Sequence, residues 1–236
     1  MSVAEIVWMT LLQPLLNLVL QGSCPICGRS PDRQSPSSPA PPLCLDCGRR
    51  LLHCQAPQPT ARWQPPLPVF AWGAYQGTLK QAIATLKYHS HPELAQPLGY
   101  AMGRAWMDTP DSKTPLIAVP IPMHADKQKQ RGFNQAELLA RAFCQITRLP
   151  LECRGLVRVR ATVPQFGLSV EERSQNVSGA FQVGRAFRRP PRRPVLLIDD
   201  VYTTGATARN AAACLAAQGI HVHGLVALAS PKLSDD

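Results

Sequence analysis

The sequence predicts an α/β protein: a parallel sheet with helices on both faces, preceded by a small four-cysteine module. Three observations carry this. Apolar strand-like segments alternate with helical ones after residue 68. The segment Val195 to Ala208 joins a strand to a helix through a Thr/Gly turn. Two C-x-x-C pairs, Cys24/Cys27 and Cys44/Cys47, stand near the start.

The elements follow in order. Val69 to Tyr75 reads as a strand. Thr78 to Tyr88 reads as a helix with Leu79, Ile83 and Leu86 on one side, and Glu93 to Met107 as a second. Leu116 to Ile121 is an apolar strand between prolines. Asn134 to Arg148 is a helix ended by Pro150. Val195 to Ile198 is a fully apolar strand, Ala206 to Gln218 an alanine-rich helix with Gly219 as its stop, and Val222 to Leu228 a last strand. Such alternation belongs to parallel sheets covered on both faces.

The chain has 236 residues, of which 45% are hydrophobic, enough for one medium domain and an appended module. Proline-rich stretches set the boundaries: an N-terminal amphipathic helix over 1–21, the cysteine module over 22–56, a linker over 57–68 and the α/β domain over 69–236. Val3 to Leu20 is apolar, but Glu5 is its first charge and Gln13, Pro14 and Asn17 interrupt it, so no transmembrane segment is expected. The net charge of +10 favours polyanionic ligands without choosing among them. Basic residues crowd between Asp126 and Arg193, including the run Arg188, Arg189, Arg192, Arg193. Eight cysteines in this pattern do not make a disulfide framework, and a reducing cytoplasm fits them.

The most informative string is VLLIDDVYTTGATA, Val195 to Ala208. Ligands of open α/β sheets bind at the carboxyl ends of strands. A Thr/Gly turn entering a helix offers backbone N–H groups and hydroxyls to a phosphate, and Gly205 keeps a side chain out of the way. Asp199 and Asp200 would repel the anion unless they face something else, such as ribose hydroxyls or a divalent cation. The combination points to a ribose 5-phosphate ligand.

This string resembles the 5-phosphoribosyl-1-pyrophosphate (PRPP) signature of type I phosphoribosyltransferases. The resemblance implies their fold, a Rossmann-like parallel sheet. It also implies that Asp199 and Asp200 hold the ribose hydroxyls while Thr203, Thr204, Gly205, Ala206 and Thr207 hold the 5′-phosphate. Thr203 stands where the 6-oxopurine salvage enzymes carry a basic aspartate, which counts against purine salvage.

Two more strings narrow the resemblance. In AVPIPMHADKQKQRGFNQAELLA, Ala118 to Ala140, a basic loop with Lys127, Lys129, Arg131 and Gly132 follows a strand and is suited to pyrophosphate. Asn134 can cap the next helix, with Glu137 placed for a capping box. The polar, Arg-rich stretch Arg158 to Phe181 reads as a lid. With the cysteines, Lys87-Tyr88, Arg131 to Gln135, Gln165, Leu168, Arg173 and Asn176, these strings resemble the ComF family of competence-associated phosphoribosyltransferase-like proteins, from about Gly22 to Ala229. That resemblance implies PRPP binding, a cytoplasmic place and a link to natural competence and DNA uptake. Single-stranded DNA or the uptake machinery is then the expected partner besides PRPP.

If phosphoribosyl transfer or cleavage occurs, the work is stabilisation of departing pyrophosphate by cations and Mg²⁺. Arg131, Arg158 and Arg173 are the candidates for it; no general base is assigned, and the acceptor is open. The competing reading is a PRPP-sensing or single-stranded-DNA-handling factor without turnover. At the module, two C-x-x-C knuckles predict one Zn²⁺ on Cys24, Cys27, Cys44 and Cys47, with Gly28 and Gly48 in the tight turns. Four thiolates leave no open position, so the zinc is expected to be structural.

Overall fold

A computed structural model describes residues 23–29, 43–89, 91–160 and 179–231. The expected N-terminal helix and most of the lid, including Gln165, Arg173 and Asn176, lie outside the described residues. The chain divides into two compact units, Met1–Arg50 and Leu51–Asp236.

In the first unit the chain turns tightly after Cys27: the Gly28 amide donates to the Cys24 carbonyl at 2.7 Å, with Gly28 at φ +74°. The second cysteine pair opens helix α1 (Leu45–Leu52). Gly48 therefore lies inside a helix and not in a turn of its own. Its amide donates to the Cys44 carbonyl at 2.9 Å, an ordinary helical bond.

The second unit is built on a four-stranded sheet in the order β1-β6-β5-β2, made of β1 (Val69–Ala74), β2 (Ile117–Pro120), β5 (Val195–Val201) and β6 (Val222–Ser230). Every pairing is parallel. Between β1 and β2 run α2 (Gly77–Tyr88) and α3 (Ala95–Met107); after β2 come α4 (Ala125–Arg131) and α5 (Gln135–Thr147). A two-stranded antiparallel ribbon, β3 (Leu156–Arg158) with β4 (Phe181–Val183), precedes β5. Helix α6 (Ala206–Ala216) joins β5 to β6. The ribbon brings the two ends of the expected lid together, Arg158 facing Phe181 in register.

Alternation along the strands sorts the core. One face of the sheet, with Val69, Val119, Leu197 and Leu225, packs on Ala208, Ala211 and Leu215 of α6 and on Leu156, Phe181 and Phe187 around the ribbon. The other takes α3 and α5: Phe70 meets Trp106 with ring centroids 5.6 Å apart, and Trp106 meets Phe143 at 6.3 Å. The two helices approach closely because Gly99 has no side chain; a Cβ there would lie 2.6 Å from both Ala142 Cβ and the Leu139 carbonyl oxygen.

Residues of the expected linker run along the outer edge of β1, where Arg62 bridges Val69 and the Ala71 amide donates to the Pro59 carbonyl at 2.9 Å. At the far side of β2, Leu151 bridges Ala118 in parallel. The chain thus leaves β2 towards Leu151 but leaves β5 towards β6. The gap between β2 and β5 is a topological switch point, where open α/β sheets form a ligand crevice.

Candidate functional site

Strand β5 is longer than its apolar core. It continues through Asp199 and Asp200 because pairing with β6 continues, Asp199 against Ala227 and Val201 against Ala229. The two acids are therefore fixed by the sheet at its carboxyl end, next to the switch point. Asp200 is 4% exposed. Its carboxylate forms an ion pair with the Lys87 ammonium, which is also mostly buried. Burial alone would raise the Asp200 pKa, but the Lys87 charge outweighs it and holds Asp200 below the usual carboxylate range. Burial likewise opposes the Lys87 charge, and Asp200 overcomes it, so that Lys87 is held above its ordinary value. Asp199 is different. Its Oδ1 accepts from the Asp200 amide at 2.8 Å, yet burial and the neighbouring Asp200 charge push its pKa well up.

The Thr203 to Thr207 turn follows directly. Gly205 is the N-cap of α6 at φ +75°, and no side chain caps the helix. The left-handed φ favours glycine here, and a Cβ at Gly205 would lie 2.6 Å from Tyr202 Oη and 2.7 Å from Arg209 Nη1, so those two side-chain ends would have to move. The Thr204 hydroxyl is buried without a hydrogen-bond partner. An uncapped helix N-terminus beside an unsatisfied hydroxyl is a donor-rich site for an oxyanion.

The β2 side supplies cations. The expected basic loop is in fact helix α4, started where His124 Nδ1 accepts from the Asp126 amide at 3.3 Å and stopped by Gly132 at φ +86°. Short-range capping at both ends makes a helix of a segment whose charges read as a loop. Lys127 and Arg131 lie on it. The Lys127 pKa is lowered, first by burial and then by the positive charges of Arg158 and Arg131. Arg158, on β3, is lowered by burial and sustained by the Asp199 carboxylate. Arg131 lies over the Tyr88 ring at 5.6 Å and donates to Gln135 Oε1. Asn134 caps α5 as expected, its side chain accepting from the Ala136 amide at 3.1 Å while its Nδ2 donates to the Ile121 carbonyl at 3.1 Å. Glu137 does not complete a capping box; it pairs with Arg141 one turn on, at 2.6 Å.

Of the residues singled out in the sequence, Arg131, Arg158, Asp199, Asp200 and the Thr203 to Thr207 turn gather at this crevice. The run Arg188, Arg189, Arg192, Arg193 does not: it precedes β5 and so lies at the amino edge of the sheet. Lys87 is the residue whose part sequence reasoning missed. It stood out only as one half of a Lys-Tyr pair, and nothing in the sequence links position 87 to position 200.

In the first unit the four sulfur atoms of Cys24, Cys27, Cys44 and Cys47 lie within 4.8 Å of one another, Cys27 and Cys44 at 3.6 Å. Tetrahedral thiolates about 2.3 Å from one ion lie roughly 3.8 Å apart, so the set can hold a metal. Arg29 and Asp46, 2.8 Å apart, tie the two knuckles together. The Arg29 backbone amide and guanidinium lower the Cys27 pKa to about 6. Cys47 is pushed up, by burial first and then by the other thiols. Cys47 is therefore held as a thiol in the bare cluster, and ionising all four sulfurs this close together calls for a cation among them.

No family model matches the chain. It is 29% identical over 189 residues to Competence protein F of Haemophilus influenzae, covering 76% of this chain and 80% of that protein. It is 26% identical over 211 residues to the DNA utilization protein YhgH of Escherichia coli, covering 84% and 86%. Competence protein ComFC of Bacillus subtilis is 26% identical over 145 residues, 61% of this chain and 56% of that one. No described helix is long and apolar enough to cross a membrane.

Proposed function

We propose that the chain acts as a ComF-type protein, binding PRPP at the β2–β5 crevice and transferring or cleaving its phosphoribosyl group in the service of DNA uptake. The observation that carries this is the opposition across one crevice of two kinds of group. The uncapped α6 turn with its unpartnered Thr204 hydroxyl stands beside Asp199 and Asp200, and on the other side Lys127 feels the charges of Arg158 and Arg131 while Arg158 feels the Asp199 carboxylate.

In this reading the turn takes the 5′-phosphate and the two acids take the ribose hydroxyls. Asp200, kept ionised by Lys87, accepts from one hydroxyl; Asp199, which ionises reluctantly, is the softer partner. Lys127, Arg131 and Arg158 receive pyrophosphate, joined by Arg173 of the lid. They stabilise the charge that develops as the anomeric bond breaks. Among the described residues only the cysteine cluster groups enough ligands to hold an ion unaided, so Mg²⁺ would arrive on the phosphates of PRPP. When bound, it neutralises the leaving group. The cysteine unit holds one Zn²⁺ in a structural role.

A second reading, PRPP sensing or single-stranded-DNA handling without turnover, draws on the same crevice. Asp200 is paired with Lys87 and one oxygen of Asp199 accepts from the Asp200 amide, which suits both acids to holding a ligand's hydroxyls without requiring turnover.

Calorimetry with PRPP and Mg²⁺ tests the binding. Asp199→Ala with Asp200→Ala should lose hydrogen bonds worth about 1–3 kcal/mol each, and unchanged affinity would refute the ribose assignment. Pyrophosphate release by the intact protein separates transfer or cleavage from sensing.

A further inference from the structure

We propose that Tyr88, backed by Arg131, is a base-stacking subsite on the rim of the crevice, and that its ligand is a nucleobase, free or carried on a single strand. The inference deepens the PRPP reading, on which it rests, by naming where a planar acceptor lies.

Tyr88 is 73% exposed, more than any other large hydrophobic side chain among the described residues. Packing does not explain such exposure. A structural tyrosine buries its ring and leaves the hydroxyl wet. Here the ring itself stands out at the end of α2, one residue after Lys87, whose ammonium reaches into the crevice to Asp200.

One face of the ring is already taken. The Arg131 guanidinium lies 5.6 Å from its centroid, and Arg131 is itself tied to Gln135, the first residue of α5. That helix start is anchored by Asn134 to the Ile121 carbonyl. The ring is thus backed by a fixed cation and offers its remaining face to a second planar group.

The surroundings choose that group. An aromatic ring within a contiguous apolar patch would fit a protein surface. This ring has cations about it instead: Lys87 precedes it on α2, Arg131 lies over it, and Lys127, on the same helix as Arg131, feels the charges of both Arg158 and Arg131. A π-face set among phosphate-binding cations is the arrangement that stacks bases and neutralises phosphates together.

The test compares Tyr88→Phe and Tyr88→Leu with the wild-type chain. Anisotropy is read with a labelled oligothymidylate and with an abasic strand of equal length. Calorimetry is read with free uracil and free adenine in the presence of PRPP, and with PRPP alone. Tyr88→Leu should weaken one base-bearing ligand between about fivefold and 150-fold, the worth of one stacked base, and Tyr88→Phe should retain it. Loss in the oligothymidylate arm assigns a strand, and loss in the free-base arm assigns a free base. The abasic strand should not respond. The proposal is overturned if Tyr88→Leu binds every base-bearing ligand like wild type, or if the abasic strand weakens equally. It is also overturned if PRPP affinity falls in step, because Tyr88 would then only prop Arg131. Wild-type binding of PRPP alone reports separately on the crevice, so a failure there is not mistaken for a failure of the stacking subsite.

Discussion

Among the described residues of the cysteine unit the buried apolar side chains are Cys24, Leu43, Cys44 and Cys47, so three of these four are would-be metal ligands. In the sheet unit they are Phe70, Trp72, Leu98, Trp106, Phe143, Leu197 and many more, packed in two layers on either face of parallel strands. Among its described residues the first unit gathers almost no apolar core, and a module this small rarely holds together without a metal or disulfide. The second needs no ion to bury its strands. The difference teaches that one chain draws on two sources of order, ligation and apolar burial.

The largest expected effect tests this directly. Structural Zn²⁺ supplies about 10–16 kcal/mol of folding free energy at neutral pH. Chelation, or Cys24→Ser with Cys44→Ser, should abolish stoichiometric zinc and amide protection around residues 24–48. Protection of β5 and β6 should persist. Metal analysis and hydrogen exchange check both parts. A double variant that keeps one zinc per chain refutes the ligand set, and loss of protection in β5 breaks the comparison itself.

The next effect lies where the sheet unit departs from apolar physics. Lys87→Met leaves the Asp200 carboxylate buried and unpaired, which costs about 3–5 kcal/mol. Lys87→Met with Asp200→Leu should recover most of it, because a buried pair is often matched by apolar residues of similar volume. The pair has a defined pH window. Lys87 is held above its ordinary 10.5, so its contribution is complete below 10.5 and fades as pH rises through the folded value. Asp200 is held below its ordinary 3.8, so its contribution is complete above 3.8 and fades as pH falls through the folded value. Between these limits the wild-type pair contributes in full, whereas in Lys87→Met burial alone raises the Asp200 carboxyl, so the melting-temperature deficit should be largest at high pH and shrink as pH falls and the unpaired carboxyl takes up a proton. Equal melting temperatures would show that the pair contributes nothing.

The parallel sheet, the helices and the acid-turn string were legible in the sequence because each is local: apolar runs of strand length, 3.6-residue periodicity and a short turn motif. The cysteine cluster was legible for the same reason. Three features were not. Helix α4 was hidden because a capping histidine and a left-handed glycine decide it against a loop-like composition. Glu137 prefers Arg141 to the capping-box position because an i,i+4 pair is available on its own helix face. The Lys87–Asp200 pair joins positions 113 residues apart, through β1, α2 and the sheet order, and no local pattern encodes it. The crevice was therefore readable on the β5 side, where one string builds it, and readable only in part on the side that α2, α4 and β3 assemble, where Arg131 and Arg158 stood out and the role of Lys87 did not.

The smallest effect has the opposite sign and separates fold from ligand within the sheet unit. Among the described residues Asp199 forms no salt bridge; burial and the adjacent Asp200 charge hold its pKa well above the ordinary 3.8 despite the more distant Lys87 charge. A carboxyl whose folded pKa is raised binds its proton more tightly in the native state than in the unfolded one. Folding is then penalised progressively as pH rises from 3.8 towards the folded value, and the full penalty remains above it. Asp199→Asn removes the ionisation and keeps an oxygen that can accept from the Asp200 amide. The variant should gain about 0.5–2 kcal/mol at neutral pH, the usual size of a stabilising substitution, with no gain near pH 3. Its PRPP affinity should fall, because an amide is a weaker acceptor for a ribose hydroxyl than a carboxylate. Thermal melts across pH and calorimetry of the same protein read the two quantities. Stability gained with affinity lost marks Asp199 as a group kept for its ligand at the expense of the fold, whereas a loss of stability at neutral pH would mean that its charge is compensated in the free protein and that the acid pair belongs to the sheet's own architecture.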